Sequence, residues 1–208
     1  MIQLLSEKHA RAIITVLSDA FYEYPVMRYV LGSSGDYDRR LLRLVELFVM
    51  ARVFRKEPLL GFYDGTELIA AATMSYPDAS AASSEFMALR ITIWDELGSD
   101  AETRYNAFTA ACSQCSVDIP NLHLNMLGVK RSVQKSGIGK KLIAGVHRIA
   151  REDGRSEGVT LSTENPDNVR FYEKLGYEIT GHVRVAPELE TWGFFRRNEF
   201  LKNAAADK

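Results

Sequence analysis

Residues 122 to 139 read Leu-His-Leu-Asn-Met-Leu-Gly-Val-Lys-Arg-Ser-Val-Gln-Lys-Ser-Gly-Ile-Gly. An apolar strand runs here into a glycine-bearing turn that opens a helix, because Ile138, Leu142, Val146 and Ile149 then recur on one helical face. The spacing predicts a helix to about residue 151 with its first amides unpartnered at the turn. Aligned peptide dipoles place roughly half a positive charge at that end, which favours phosphate. Gly137 and Gly139 carry no side chain, so a pyrophosphate can approach the backbone closely, beside the charges of Lys135, Lys140 and Lys141.

Two phosphate motifs do not fit these residues. A Walker loop needs a glycine, four intervening residues and then Gly-Lys-Ser/Thr, and a dinucleotide fingerprint needs three glycines. The turn resembles instead motif A of the GNAT superfamily, the GCN5-related N-acetyltransferases: Gln/Arg-x-x-Gly-x-Gly/Ala after a central strand, met here by Gln134, Gly137 and Gly139. A second stretch carries the same resemblance. Val-Thr-Leu-Ser-Thr from Val159 suits a strand, and Asn165, Tyr172, Gly176 and Tyr177 match the Asn-x-x-x-x-x-x-Tyr-x-x-x-Gly-Phe/Tyr pattern of motif B in register. The match covers residues 122 to 180. Arg131 stands where many members carry proline, and Asn168 where a small alanine is common.

The resemblance implies an α/β (α+β) fold: a mixed, mostly antiparallel central sheet with splayed central strands, flanked by helices. It implies acetyl-CoA as cosubstrate and no metal. By the same resemblance, the backbone of Leu127, Gly128 and Val129 would meet the pantetheine arm as an added strand does, with Asn165 hydrogen-bonding it from the other side. Gln134, Lys135, Ser136, Gly137, Ile138, Gly139 and Lys140 would surround the pyrophosphate.

In that chemistry an amine attacks the thioester and a thiolate leaves. A lysine-like amine has a pKa of about 10.4, so shedding its proton at pH 7 costs roughly 4.6 kcal/mol and a base must accept it. His123 stands eleven residues before Gln134, where the resemblance places a base, and an imidazole pKa of about 6.5 suits the task. The alternative for a strand histidine is a satisfied core residue; Glu23 and Glu164 compete for the role. Tyr172 matches the tyrosine that protonates the departing sulfur in this family, against the plainer reading of core packing beside Phe171 and Leu175.

The acceptor reading is a small-molecule primary amine. The His-bearing strand and the string Leu161-x-Thr-Glu-Asn-Pro-x-Asn-Val-x-x-Tyr172 resemble the branch acting on xenobiotic amines. Phe21, Tyr22 and Tyr24 with Trp192 and Phe194 suggest an apolar pocket. A protein lysine or N-terminal acetyltransferase is one alternative, and a non-catalytic acetyl-CoA-binding protein another.

The remaining sequence reads as one domain over residues 1 to 208, with an acetyl-CoA-binding core at about 120 to 186. Ser6 suits the cap of a helix bearing Ala10, Ile13, Ile14 and Leu17, followed by a short helix near Met27 and a longer one from 37 to 53. Residues 59 to 63 and 68 to 75, joined at Asp64-Gly65, suit a hairpin. A helical pair over 83 to 116 reads as an insertion on the acceptor side. Residues 178 to 185 and 191 to 195 suit two antiparallel strands, and 204 to 208 a frayed tail. Cys112 and Cys115 form a Cys-x-x-Cys pair without the second pair of a zinc site or the strand-to-helix position of a redox motif. Reduced structural thiols are expected there.

With 26 basic and 27 acidic residues, no overall field recruits nucleic acid or an anionic membrane. No apolar run of 18 residues exists and the first residues do not resemble a signal peptide, so a cytoplasmic protein without membrane partners is expected. A homodimer is compatible with these features.

Overall fold

The strand expected over 122 to 129 forms as β4 (Asn121–Val129), in the middle of a seven-stranded sheet. The computed structural model describes residues 1–33, 35–78 and 80–199; the expected frayed tail lies outside the described residues. In chain order the other elements are β1 (Ile2–Leu5), α1 (Ala10–Ala20), α2 (Pro25–Leu31), α3 (Tyr37–Phe54), β2 (Leu59–Asp64), β3 (Glu67–Ser75), α4 (Ser84–Leu97) and α5 (Ser99–Ser113). After β4 come α6 (Ile138–Asp153), β5 (Gly158–Thr163), α7 (Pro166–Glu173), β6 (Glu178–Ala186) and β7 (Leu189–Arg197). The strand order is β1-β2-β3-β4-β5-β7-β6. Among the described residues only β4 and β5 pair in parallel.

The sheet is covered on both faces, which is why β3 reads as an unbroken apolar run from Leu68 to Met74, interrupted only by the buried Thr73. On one face α6 lays Leu142, Val146 and Ala150 against Leu60, Met74, Leu122 and Leu124. On the other, α1 to α5 bury Ile13, Leu17, Leu44 and Ile93 over Ala71 and Met126. Each such aliphatic side chain contributes on the order of 1.5–3 kcal/mol when fully buried. The helical pair expected over 83 to 116 is present as α4 and α5; Ser83 Oγ accepts from the Phe86 amide at 3.3 Å and so caps α4. The pair packs on α2, α3 and the β6–β7 hairpin.

The central strands separate. Pairing between β4 and β5 runs only from Asn121–Gly158 to Leu124–Leu161, although β4 continues to Val129. Two causes are visible. A bulge leaves Asn125 without a partner between Thr73–Met126 and Met74–Leu124, which bends β4. Meanwhile β5 stays with β7 as far as Thr163–Trp192.

Two expectations change. The first residues form β1, an edge strand absent from the sequence reading: Leu4 is exposed, so no alternation announces it. Trp192 and Phe194 do not join Phe21 and Tyr24. They lie on the α6 face of β7, where Phe194 is buried in that core and Trp192 stacks on His182 at 4.5 Å.

Candidate active site

Where β4 leaves β5, the sheet and the α1–α5 layer enclose a cavity of ≈ 460 Å³. The aromatic rings of Phe21, Tyr24, Phe48, Phe86, Trp94, Tyr105 and Phe108 form much of its wall. Four of these come from α4 and α5, so the helical pair does bound this space. Polar groups gather at two places.

The first is the end of β5. Alternation along β5 sends Ser162 and then Glu164 into the cavity lining. Glu164 is 6% exposed. Its Oε1 accepts a 2.8 Å hydrogen bond from the Thr191 hydroxyl, and its main-chain amide donates to the Tyr24 hydroxyl at 3.1 Å. Burial pushes the carboxyl up to about 7, against the lowering influence of the Thr191 and Tyr24 hydroxyls. Since Thr191 donates to Glu164, the Cys112 thiol 3.6 Å from Thr191 Oγ1 is the donor in that contact. Burial raises Cys112 to about 11, with the nearby Glu164 charge acting in the same direction, so it is a neutral thiol at pH 7. Both cysteines are free.

Tyr172, on α7, reaches the same place. It is buried among the rings of Phe171, Tyr177 and Phe194, and it lines the cavity. Burial first and the Glu164 charge second push its phenol well above the ordinary range. Core packing and an active-site position therefore hold together for Tyr172.

His123 also lines the cavity. Thr160 gives its proton to Asn121 Oδ1, so its oxygen accepts from His123 Nδ1 at 2.9 Å and Nε2 carries the lone pair. Burial, with Arg52 nearby, lowers the imidazole to about 4. Glu23 is removed from the competition: it faces solvent and pairs with Arg28 at 2.6 Å.

The second polar place is formed by Arg52 and Arg55 at the end of α3 and Arg90 on α4. No sequence motif pointed to them, because they come together only when the two helices pack.

At the far end of β4 the turn is built as an open cradle. Gln134 Nε2 donates to the Val129 carbonyl at 3.1 Å, and Ser136 Oγ to the Val133 carbonyl at 2.6 Å. Gly137 sits at φ +80° before α6, a conformation that costs other residues about 1–2 kcal/mol. The amides of Gly137, Ile138, Gly139 and Lys140 have no acceptor among the described residues. A Cβ on Gly137 would meet nothing within 4 Å, and one on Gly139 only Leu127 Cδ2 at 3.8 Å. The protein itself therefore gives no steric reason for glycine at position 139, where it weakens the first helical turn by about 1 kcal/mol. Lys135 and Lys140 are exposed beside it.

On β4, Leu127 and Val129 are partly buried along the unpaired edge, whereas Gly128 faces α1, where a Cβ would stand 2.7 Å from Ala20 Cβ. Asn165 caps α7, its Oδ1 accepting from the Asp167 amide at 3.0 Å, and so keeps only its amide donors. Both departures from the family pattern have partners: the Arg131 amide, which proline lacks, donates to Asp19 at 2.8 Å, and Asn168 Nδ2 donates to Thr163 Oγ1 at 3.2 Å. Among the described residues no group of three or more His, Cys, Asp or Glu is placed to hold a metal, and no helix is long and apolar enough to cross a membrane.

Residues 101–179 match the family model of the acetyltransferase (GNAT) domain. No curated protein matches the sequence. Among solved structures the chain is similar to one described as histone acetyltransferase HPA2 and related acetyltransferase from Corynebacterium glutamicum, at 15% identity over 97% of this chain and 98% of that one, with a TM-score of 0.67. It is similar to the polyamine N-acetyltransferase of Drosophila melanogaster, at 16% identity over 95% and 99%, TM-score 0.63. It is also similar to the ribosomal-protein-S18-alanine N-acetyltransferase of Escherichia coli, at 11% identity over 98% and 97%, TM-score 0.58. Identities this low establish a common fold.

Proposed function

We propose that this GNAT-fold chain, whose residues 101–179 match the model of the acetyltransferase (GNAT) domain, acetylates a primary amine of a small molecule held in the cavity, by direct attack in a ternary complex. The observation that carries the reading is the buried Glu164 carboxyl, poised at about 7, in the same enclosed space as Tyr172.

The cradle suits the donor. Four unpartnered amides, a helix N-terminus and exposed lysines match a pyrophosphate, and the unpaired edge of β4 from Asn125 to Val129 matches the amides of a pantetheine arm. Acetyl-CoA, when bound, supplies the acetyl group as a thioester.

This chain's residues then move protons. Glu164 takes one from the ammonium of the acceptor; a carboxyl with a pKa of about 7 is nearer the ideal for a base at neutral pH than an imidazole held at about 4. Tyr24 and Thr191 hold Glu164 in place and favour its charged form. Tyr172, protonated throughout the working range, donates to the sulfur as it leaves. His123 stays neutral and fixes Thr160 and Asn121.

The small-molecule reading rests on enclosure, since a walled cavity of ≈ 460 Å³ accepts a ring more readily than an extended chain. The test is acetyl-CoA turnover, scored by free thiol release, against small aromatic amines, diamines and lysine- or N-terminus-bearing peptides. A preference for peptides of tenfold or more in kcat/KM would assign the chain to protein acetylation. Binding of acetyl-CoA without turnover of any amine would make it a non-catalytic member.

A further inference from the structure

Resting on that reading, we infer that the acceptor carries an anionic group, a carboxylate or its equivalent, on an aromatic body, and that Arg52, Arg55 and Arg90 receive that group at the end of the cavity away from Glu164. The three guanidinium groups line one space with a single acid between them: Glu57, itself buried, pairs with Arg52 at 2.9 Å. Arg55 donates only to main-chain carbonyls, those of Ser80 at 3.1 Å and Ala51 at 3.4 Å. Arg90 has no hydrogen-bond or ion-pair partner among the described residues. Two positive charges are therefore left over along one side of the cavity, an arrangement that repels a diamine and attracts an anion.

The order of groups along the cavity gives the acceptor a direction. Tyr105 packs on Phe48, one turn before Arg52 in α3, and on Trp94, one turn after Arg90 in α4; two turns further along α5, Cys112 stands 3.6 Å from Thr191 Oγ1, whose hydroxyl bonds Glu164. The basic end and the carboxyl are thus separated by Tyr105 and Cys112, a span suited to an aromatic ring with an amine at one end and an acid at the other.

These arginines do not belong to the donor. Arg52 lines the cavity together with His123, near the start of β4, whereas the cradle follows the end of that strand; His123 and Val129 are six residue steps apart, roughly 20 Å.

The test compares para-aminomethylbenzoate, its neutral carboxamide and putrescine as acceptors for this protein and for Arg90→Gln. The wild type should favour the acid over its amide by tenfold or more in kcat/KM, with putrescine poorest. Arg90→Gln should raise KM for the acid at least tenfold, leave KM for acetyl-CoA in place and bring the acid-to-amide ratio toward one. An amide or diamine used as well as the acid, or equal losses on all three in Arg90→Gln, overturns the inference while leaving amine acetylation standing. If no amine is turned over, the functional reading fails, and calorimetry still decides the cavity's preference: binding of para-aminomethylbenzoate no tighter than of its carboxamide, or unaffected by Arg90→Gln, overturns it.

Discussion

The Thr191 hydroxyl, in β7, donates to Glu164 Oε1 at 2.8 Å, so a strand that is late in the sequence sets the acidity of a residue at the tip of β5. Burial raises the Glu164 carboxyl to about 7 while this bond opposes the rise. As the base, Glu164 must be deprotonated, so kcat/KM should fall below pH 7 along an acidic limb near that value. Thr191→Val removes a bond to the charged form and should move the limb to higher pH. Glu164→Gln should lose roughly 10²–10⁴-fold in rate together with the limb. His123→Ala should keep it; a limb abolished by His123→Ala and unmoved by Thr191→Val would return the role to the histidine.

The same carboxyl links stability to pH. Its folded pKa of about 7 lies above the ordinary 4.5, so the folded state holds the proton more tightly. That contribution is complete below pH 4.5 and is lost as pH rises through 7, by as much as ~3 kcal/mol. Glu164→Gln cannot ionise. Its thermal midpoint should therefore gain on the wild type between pH 4.5 and 7.5, measured by calorimetry at matched ionic strength. A constant difference across that range would mean the carboxyl is solvated.

Tyr172→Phe removes a hydroxyl with no protein partner among the described residues while keeping the ring in contact with Tyr177 and Phe194. Turnover should fall by ~10²–10⁴-fold, with folding and acetyl-CoA affinity near wild type. Because the phenol is pushed well above its ordinary value, any alkaline limb below pH 10 should survive in the variant.

Gly139→Val tests the cradle cleanly. The position is helical and its Cβ would meet only Leu127 at 3.8 Å, so the fold should persist. Acetyl-CoA affinity should fall ten- to hundredfold, equivalent to one hydrogen bond to a charged group at about 1.5–3 kcal/mol. Gly137→Val would be the poorer choice, because its φ of +80° adds backbone strain. Isothermal calorimetry decides, and unchanged affinity in Gly139→Val would mean that the donor lies elsewhere.

What the sequence revealed was local. The Gln134 to Gly139 turn and the Asn165 cap are each written in fewer than ten consecutive residues, and backbone geometry follows directly from them. The splay of β4 from β5 was expected from the family resemblance and is seen in the register. What escaped depends on packing. Trp192 and Phe194 look like pocket aromatics until the order β5-β7-β6 decides which face of β7 they occupy. Arg52 and Arg90 come together only through the α3–α4 contact. Glu164 competed with Glu23 on equal terms in the sequence; 6% exposure for one and a solvent-facing ion pair for the other separate them. β1 hid because an edge strand with an exposed leucine carries no period.

The early parting of β4 from β5 also bears on which strand edges are open to other chains. Strand edges with free main-chain groups invite other chains to pair and aggregate, and outer edges are usually blunted by charge or brevity. Here β1, at one outer margin, is only four residues long. The free rim of β4 from Asn125 onward lies instead inside the sheet, between two strands of the same molecule. A second copy cannot zip onto a rim sheltered on both sides, so only a slender, extended guest has access to it; the outer edge that stays open to pairing is β6, nine residues long.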